Sequence, residues 1–207
     1  MPALPTTREP AMRISDYLIQ LVLSVILIIG VYQFYFWCQR NTVLEPREIR
    51  MRIDDRIPYW PSWVWIYSFV YYPAILYLNF VLDTPRQFTH VAASYVGLLL
   101  LQMMFFLLYP VATPEHWREY NRRRSLSERF LALVQRFDSR ANSFPSMHCS
   151  VAMLTALHLQ PHLGGVVFAF PLLIALSCLF TKQHYLIDLP AGAGLGWLTY
   201  RAFAALL

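Results

Sequence analysis

Two stretches of this chain keep polar, chemically capable side chains beside long greasy runs. NSFPSMH, residues 142–148, contains Ser146 and His148, and TKQHYLID, residues 181–188, contains Lys182, His184 and Asp188. An imidazole can serve as a nucleophile, as a general acid or base, or as a metal ligand, and a nearby carboxylate can hold its ring in one tautomer. Pro145 suits the first turn of a helix, where its missing N–H costs nothing; that turn would aim free backbone N–H groups at the loop side, a seat for phosphate. Every one of these residues also has a plain structural use. The histidines can be hydrogen-bonded interface residues, Asp188 can cap the helix that follows, and Lys182 can snorkel to headgroups. Lys182 is nonetheless the only lysine in a chain that otherwise uses arginine. The two histidines with Asp188 have the residue types of a metal site, although no Cys/His cluster at recognised ligand spacing accompanies them.

The elements that must position these residues are apolar. Of 207 residues 57% are hydrophobic and 14% charged, a composition that sets the chain apart from soluble domains and from nucleic-acid binders. Uninterrupted apolar runs at about 16–38, 62–82, 88–110, 147–160, 163–181 and 189–206 predict six spans. The expected fold is therefore an all-α, integral-membrane six-helix bundle, one membrane domain over 1–207. The run at 147–160 is short for a bilayer, and Pro161 with Gly164 and Gly165 predicts a tight turn after it. Arg8 and Arg13 precede the first run, but no small-residue cleavage site follows it, so it reads as an anchor. Cys38, Cys149 and Cys178 fall in or beside apolar runs and read as buried thiols rather than a disulfide or metal set.

Six spans sort the loops into two sets. Segments 39–61, 111–146 and 182–188 share one side and hold thirteen of the seventeen Lys and Arg residues against nine acids, a net of +4. Such a face attracts anionic headgroups or phosphates, or simply orients the protein in the bilayer. Within 111–146, Ser125 and Glu128 form a capping-box pattern, and Leu126, Phe130, Leu133 and Phe137 recur at helical spacing, predicting a short interfacial helix between spans 3 and 4. Tyr59, Trp60, Trp63 and Trp65 lie where an interfacial aromatic belt belongs. The pattern Ala191-Gly192-Ala193-Gly194-Leu195-Gly196 reads as close helix packing rather than a nucleotide loop, because no strand precedes it.

Taken together, Pro145-Ser146-Met147-His148 opening the fourth span and His184 through Asp188 opening the sixth resemble the type 2 phosphatidic acid phosphatase superfamily. Gly192 matches the small residue usual after that family's aspartate, and TKQHY with IDDRIPYWPSWVWIY is similar to the branch that includes inositol phosphorylceramide synthases. The resemblance covers roughly residues 50–200. Two departures stand out: the family's Ser-Arg before the histidine is Ser177-Cys178 here, and its first motif, a lysine followed seven residues later by Arg-Pro, is not recognisable. Lys182 is the expected stand-in for the missing arginine, with Arg118, Arg122, Arg123 and Arg124 available in the loop before the fourth span.

What the resemblance implies is a membrane enzyme that hydrolyses a lipid phosphate monoester or diphosphate, without metal or other cofactor. His184 would be the nucleophile, Asp188 its orienting partner and His148 the acid and base; Lys182, Ser146, Arg118, Arg122 and Arg123 would bind phosphate. A phosphotransferase that passes the phosphoryl group to an alcohol, and a non-catalytic lipid-binding relative, are the alternatives. The expected partners are a phosphorylated lipid and membrane lipids, with no nucleic acid. The cation excess predicts that the catalytic loops face the cytoplasm, whereas the resemblance implies the periplasm, a lumen or the exterior. We take the extracytoplasmic side, since arginines that bind a phosphorylated headgroup need not report insertion bias.

Overall fold

The computed structural model describes residues 13–49 and 51–206, so Arg8 and Arg50 fall outside it. Among the described residues the regular structure is helical, with no strand: α1 (Ile14–Arg40), α2 (Arg52–Arg56), α3 (Val64–Phe69), α4 (Tyr71–Val81), α5 (Pro85–Leu108), α6 (His116–Glu119), α7 (Leu126–Phe137), α8 (Met147–Leu163), α9 (Ala169–Phe180) and α10 (Asp188–Ala204). Among the described residues four helical stretches are long and apolar enough to cross a membrane, namely Ile14–Arg40, Pro61–Val81, Pro85–Leu108 and Met147–Phe180.

The 34-residue stretch Met147–Phe180 is a hairpin rather than a rod. Cys149 near its start and Cys178 near its end share one core cluster with Tyr67, Ala152, Ile174 and Leu189, so α9 folds back along α8. The reversal falls at Gly164, whose φ of 70° is open to glycine at little cost. Pro161, expected in the turn, instead lies inside α8, which runs on to Leu163. So near a helix end a proline interrupts little of the hydrogen-bond ladder, and the glycine decides where the chain turns.

α10 packs tightly against α8, and glycines allow it. A Cβ on Gly192 would strike the backbone carbonyl of Ser146, and one on Gly196 that of Ser150. Ser146 N–H also donates to Asp188 O at 3.0 Å, joining the two helix starts.

The interfacial helix expected after the third span is α7. Ser125 Oγ accepts from Glu128 N at 3.2 Å, and Glu128 Oε2 accepts from Ser125 N at 2.8 Å, the reciprocal cap. Leu126, Leu133 and Phe137 of its apolar stripe are exposed. Phe130 instead stacks on Trp65 with ring centroids 4.8 Å apart, and Trp65 Nε1 donates to Ser127 Oγ at 3.0 Å. The helix is thereby pinned to α3.

Three loops meet beneath it. Isolated bridges pair Arg47 with Val111 and Val111 with Asn142, and Ser143 N–H donates to Val111 O at 3.0 Å. Asp54 of α2, 1% exposed, takes Leu186 N–H on its carboxylate at 2.9 Å, while its carbonyl accepts from Lys182 Nζ at 2.6 Å. These contacts fix the 182–187 loop from one side and residues 142–146 from the other.

Candidate active site

α8 begins two residues later than its proline suggests. Ser146 is the N-cap, its hydroxyl accepting from Cys149 N at 3.3 Å, so Pro145 precedes the cap rather than entering the first turn. A hydroxyl that satisfies an orphan N–H sets the helix start more firmly than a proline that only tolerates one. His148 consequently sits in the first turn, facing the loop that carries His184.

His184 is buried, and its two ring nitrogens meet different surroundings. Nδ1 lies 2.9 Å from Ser143 O and 3.2 Å from Asp188 Oδ2. Both neighbours are acceptors, so Nδ1 carries the proton and Nε2 keeps its lone pair. Nε2 then lies 3.4 Å from His148 Nδ1 and 3.3 Å from Ser146 Oγ. Burial taken alone would lower the His184 pKa, but the hydrogen bond and charge of Asp188, with smaller help from Cys149 and the Ser143 carbonyl, leave it raised.

His148 has an aromatic seat. Its ring stacks on Tyr67 with centroids 4.2 Å apart, lies 5.4 Å from Tyr71, and meets His184 edge-on at 5.5 Å. The same imidazole lines an apolar cavity of about 890 Å³ bounded by α1, α3, α4, α5, α7 and the start of α8. Paired polar groups cross its walls, Tyr32 with Tyr72 at 2.7 Å and Ser24 with Asn79 at 3.1 Å.

A second, small pocket lies beside His184, lined among others by Arg140, Asn142, Ser143 and Gln183. Three buried oxygens around it, Asn142 Oδ1, Ser143 Oγ and Asp188 Oδ1, have no hydrogen-bond partner among the described residues. One Arg140 N–H is taken by Thr113 O at 3.1 Å, which leaves most of the guanidinium fork uncommitted among the described residues.

The structure thus brings together His148, His184, Asp188 and Ser146 among the residues singled out from sequence. It does not bring Lys182 to them. That side chain is 4% exposed, its Nζ bonded to Asp54 O and resting 5.1 Å from the Trp117 ring centroid. Burial lowers its pKa, against the opposing pull of Asp55 and Asp54. Arg118 ties down the end of α7, donating to Gln135 O at 3.0 Å and Asp138 O at 2.7 Å. Arg122 and Arg123 are exposed on the loop ahead of α7.

Sequence reasoning did not single out Arg140, Asn142, Ser143 or Tyr67. Arg140 was one cation among thirteen on its side, and only the pairing of Val111 with Asn142 carries that segment to the His184 loop. Cys178, expected from sequence to be a buried thiol rather than part of a metal set, is buried, and its Sγ, a His148 ring nitrogen and a His184 ring nitrogen all lie within 4.8 Å of one another.

Two imidazoles in contact, one with its Nδ1–H oriented and its Nε2 lone pair turned toward the other ring and the Ser146 hydroxyl, can pair a nucleophile with an acid–base group. The family model described as the PAP2 superfamily matches residues 58–202, a stretch that contains each of these groups. No curated protein and no solved structure gives a match.

Proposed function

This chain belongs to the PAP2 superfamily, whose members are generally phosphatases or phosphotransferases, and on that premise we propose that it removes phosphate from a membrane lipid through a phosphohistidine. The observation that carries the reading is the placement of His148. It lines the 890 Å³ apolar cavity while its Nδ1 stands 3.4 Å from His184 Nε2, so a lipid tail held in the cavity delivers its headgroup to both rings.

In the proposed reaction His184 Nε2 attacks phosphorus and the bond from phosphorus to the lipid oxygen breaks. The departing oxygen takes a proton from His148. Asp188 holds the Nδ1 proton and offsets the positive charge that grows on the His184 ring. His148 then removes a proton from water, the water oxygen attacks phosphorus, and the P–N bond breaks to release phosphate and neutral His184. Arg140, Ser143 Oγ, Ser146 and the N–H groups opening α8 are the donors nearest this path, and they supply the electrostatic support that a dianionic group requires. In this reading α8, α9 and α10 each span the membrane, giving six spans, with the site on the extracytoplasmic side.

The test is a substrate panel on the purified full-length chain: phosphatidate, a prenyl diphosphate, and ceramide with a phosphoinositide, reading free phosphate and new lipid. Free phosphate from one of the first two supports hydrolysis. New phosphorylated lipid in place of free phosphate identifies an alcohol acceptor, and silence on every arm overturns the enzymatic reading.

A further inference from the structure

We propose that the two site histidines, together with the buried Cys178, take one thiophilic divalent cation such as Zn²⁺, held by His148 Nδ1, His184 Nε2 and Cys178 Sγ, and that the ion blocks phosphoryl transfer. The three donors come from α8, the 181–187 loop and α9. Cys178 and His184 are six residues apart and His148 lies 30 residues before Cys178, so the three together form no recognised ligand motif. In space their ligand atoms lie within 4.8 Å of one another.

The geometry suits a tetrahedral ion. Nitrogens bound at about 2.0–2.1 Å on a tetrahedron stand about 3.3 Å apart, and His184 Nε2 and His148 Nδ1 are 3.4 Å apart. The tautomer suits it as well, since His184 gives its Nδ1 proton to Ser143 O and Asp188 Oδ2, the carboxylate-to-histidine support that orients metal-binding imidazoles. The Cys178 sulfur lies within 4.8 Å of both nitrogens, so it must move closer to reach the thiolate bonding distance of about 2.3 Å from a shared ion.

The charges and protons balance. Binding releases the Cys178 thiol proton to solvent, and a divalent ion on one thiolate and two neutral imidazoles carries a net charge of +1. Cys149 packs in the same buried cluster as Cys178, beside the thiolate that would form. Three protein donors leave a fourth position for water or a phosphate oxygen. Imidazole and thiolate together select zinc-like ions over magnesium or calcium. The block follows from competition for one lone pair, because Nε2 of His184 cannot bond to a metal and attack phosphorus at once.

Equilibrium dialysis of the full chain in detergent micelles against ZnCl₂ tests the site. One ion per chain is expected, with Cys178→Ser weakening binding by about 100-fold and Cys38→Ser leaving it unchanged. Co²⁺ in place of Zn²⁺ should give a thiolate-to-cobalt charge-transfer band in the wild-type chain, a readout that requires no variant to fold. Absence of stoichiometric binding, equal affinity in Cys178→Ser, or bound Co²⁺ without that band overturns the site. Zn²⁺ inhibition that Cys178→Ser fails to weaken overturns the blocking role. Binding and spectrum need no turnover, so they stand or fall separately from the phosphatase reading.

Discussion

Asp188 Oδ2 serves two neighbours at once, lying 3.2 Å from His184 Nδ1 and accepting Tyr185 N–H at 2.9 Å. One carboxylate oxygen therefore fixes both the imidazole and the loop that carries it. Because the His184 pKa is raised above its ordinary 6.5, the ring becomes a cation, with no lone pair on Nε2, as pH falls through a point above 6.5. We expect kcat/KM to be lost on the acid side through that midpoint. Asp188→Asn should move the midpoint to lower pH and reduce turnover by about 100-fold or more, both read from a pH-rate profile.

The two histidines should fail differently. His184→Ala removes the nucleophile and should abolish turnover of every substrate. His148→Ala removes the acid, so an aryl phosphate, whose leaving group needs no proton, should regain part of the activity lost with a lipid substrate. Equal losses of about 1000-fold on both substrates, in protein that keeps its helical circular dichroism, would contradict the division of roles.

Gly192→Ala places a methyl group against the Ser146 carbonyl, whereas Gly194 has open space at the same position. Gly192→Ala should destabilise by about 1–3 kcal/mol and lower activity by shifting α10, which carries Asp188, away from α8. Gly194→Ala should be neutral or mildly stabilising. Thermal unfolding in micelles reads both.

Arg140 and Lys182 should separate binding from structure. Arg140→Ala should weaken inhibition by inorganic phosphate by roughly ten- to a hundredfold, the scale of a charge-assisted hydrogen bond. Lys182→Met should lower the unfolding midpoint by freeing Asp54 O and the 182–187 loop. A phosphate effect from Lys182→Met with no loss of stability would reverse the assignment.

The apolar cavity predicts dependence on chain length. For short-chain substrates taken from water as monomers, each added methylene should raise kcat/KM by up to a factor of about four, the equivalent of 0.8 kcal/mol. A flat series would exclude the cavity as the tail's seat.

Much of the framework was legible in the residues themselves. Apolar length marked the helices to within a few positions, and Ser125 with Glu128 marked α7, because both signals are local. The small residues of α10 announced close packing, but not that the partner would be the Ser146 carbonyl. Least legible were contacts between segments far apart in the chain. Lys182 attracted attention as the only lysine, yet its ammonium is given to Asp54 O across 128 residues of sequence. Arg140 and Cys178 reach the site through loop pairing and helix return, and neither leaves a periodic or spaced trace.

The joining of Ser146 N–H to Asp188 O has a consequence for biosynthesis. His148 emerges from the ribosome about forty residues ahead of the carboxylate that organises its partner. Until α10 is made, Ser146 N–H lacks the Asp188 carbonyl and His184 lacks the Asp188 carboxylate, so under the proposed reaction a chain that stops short of α10 is expected to be inactive.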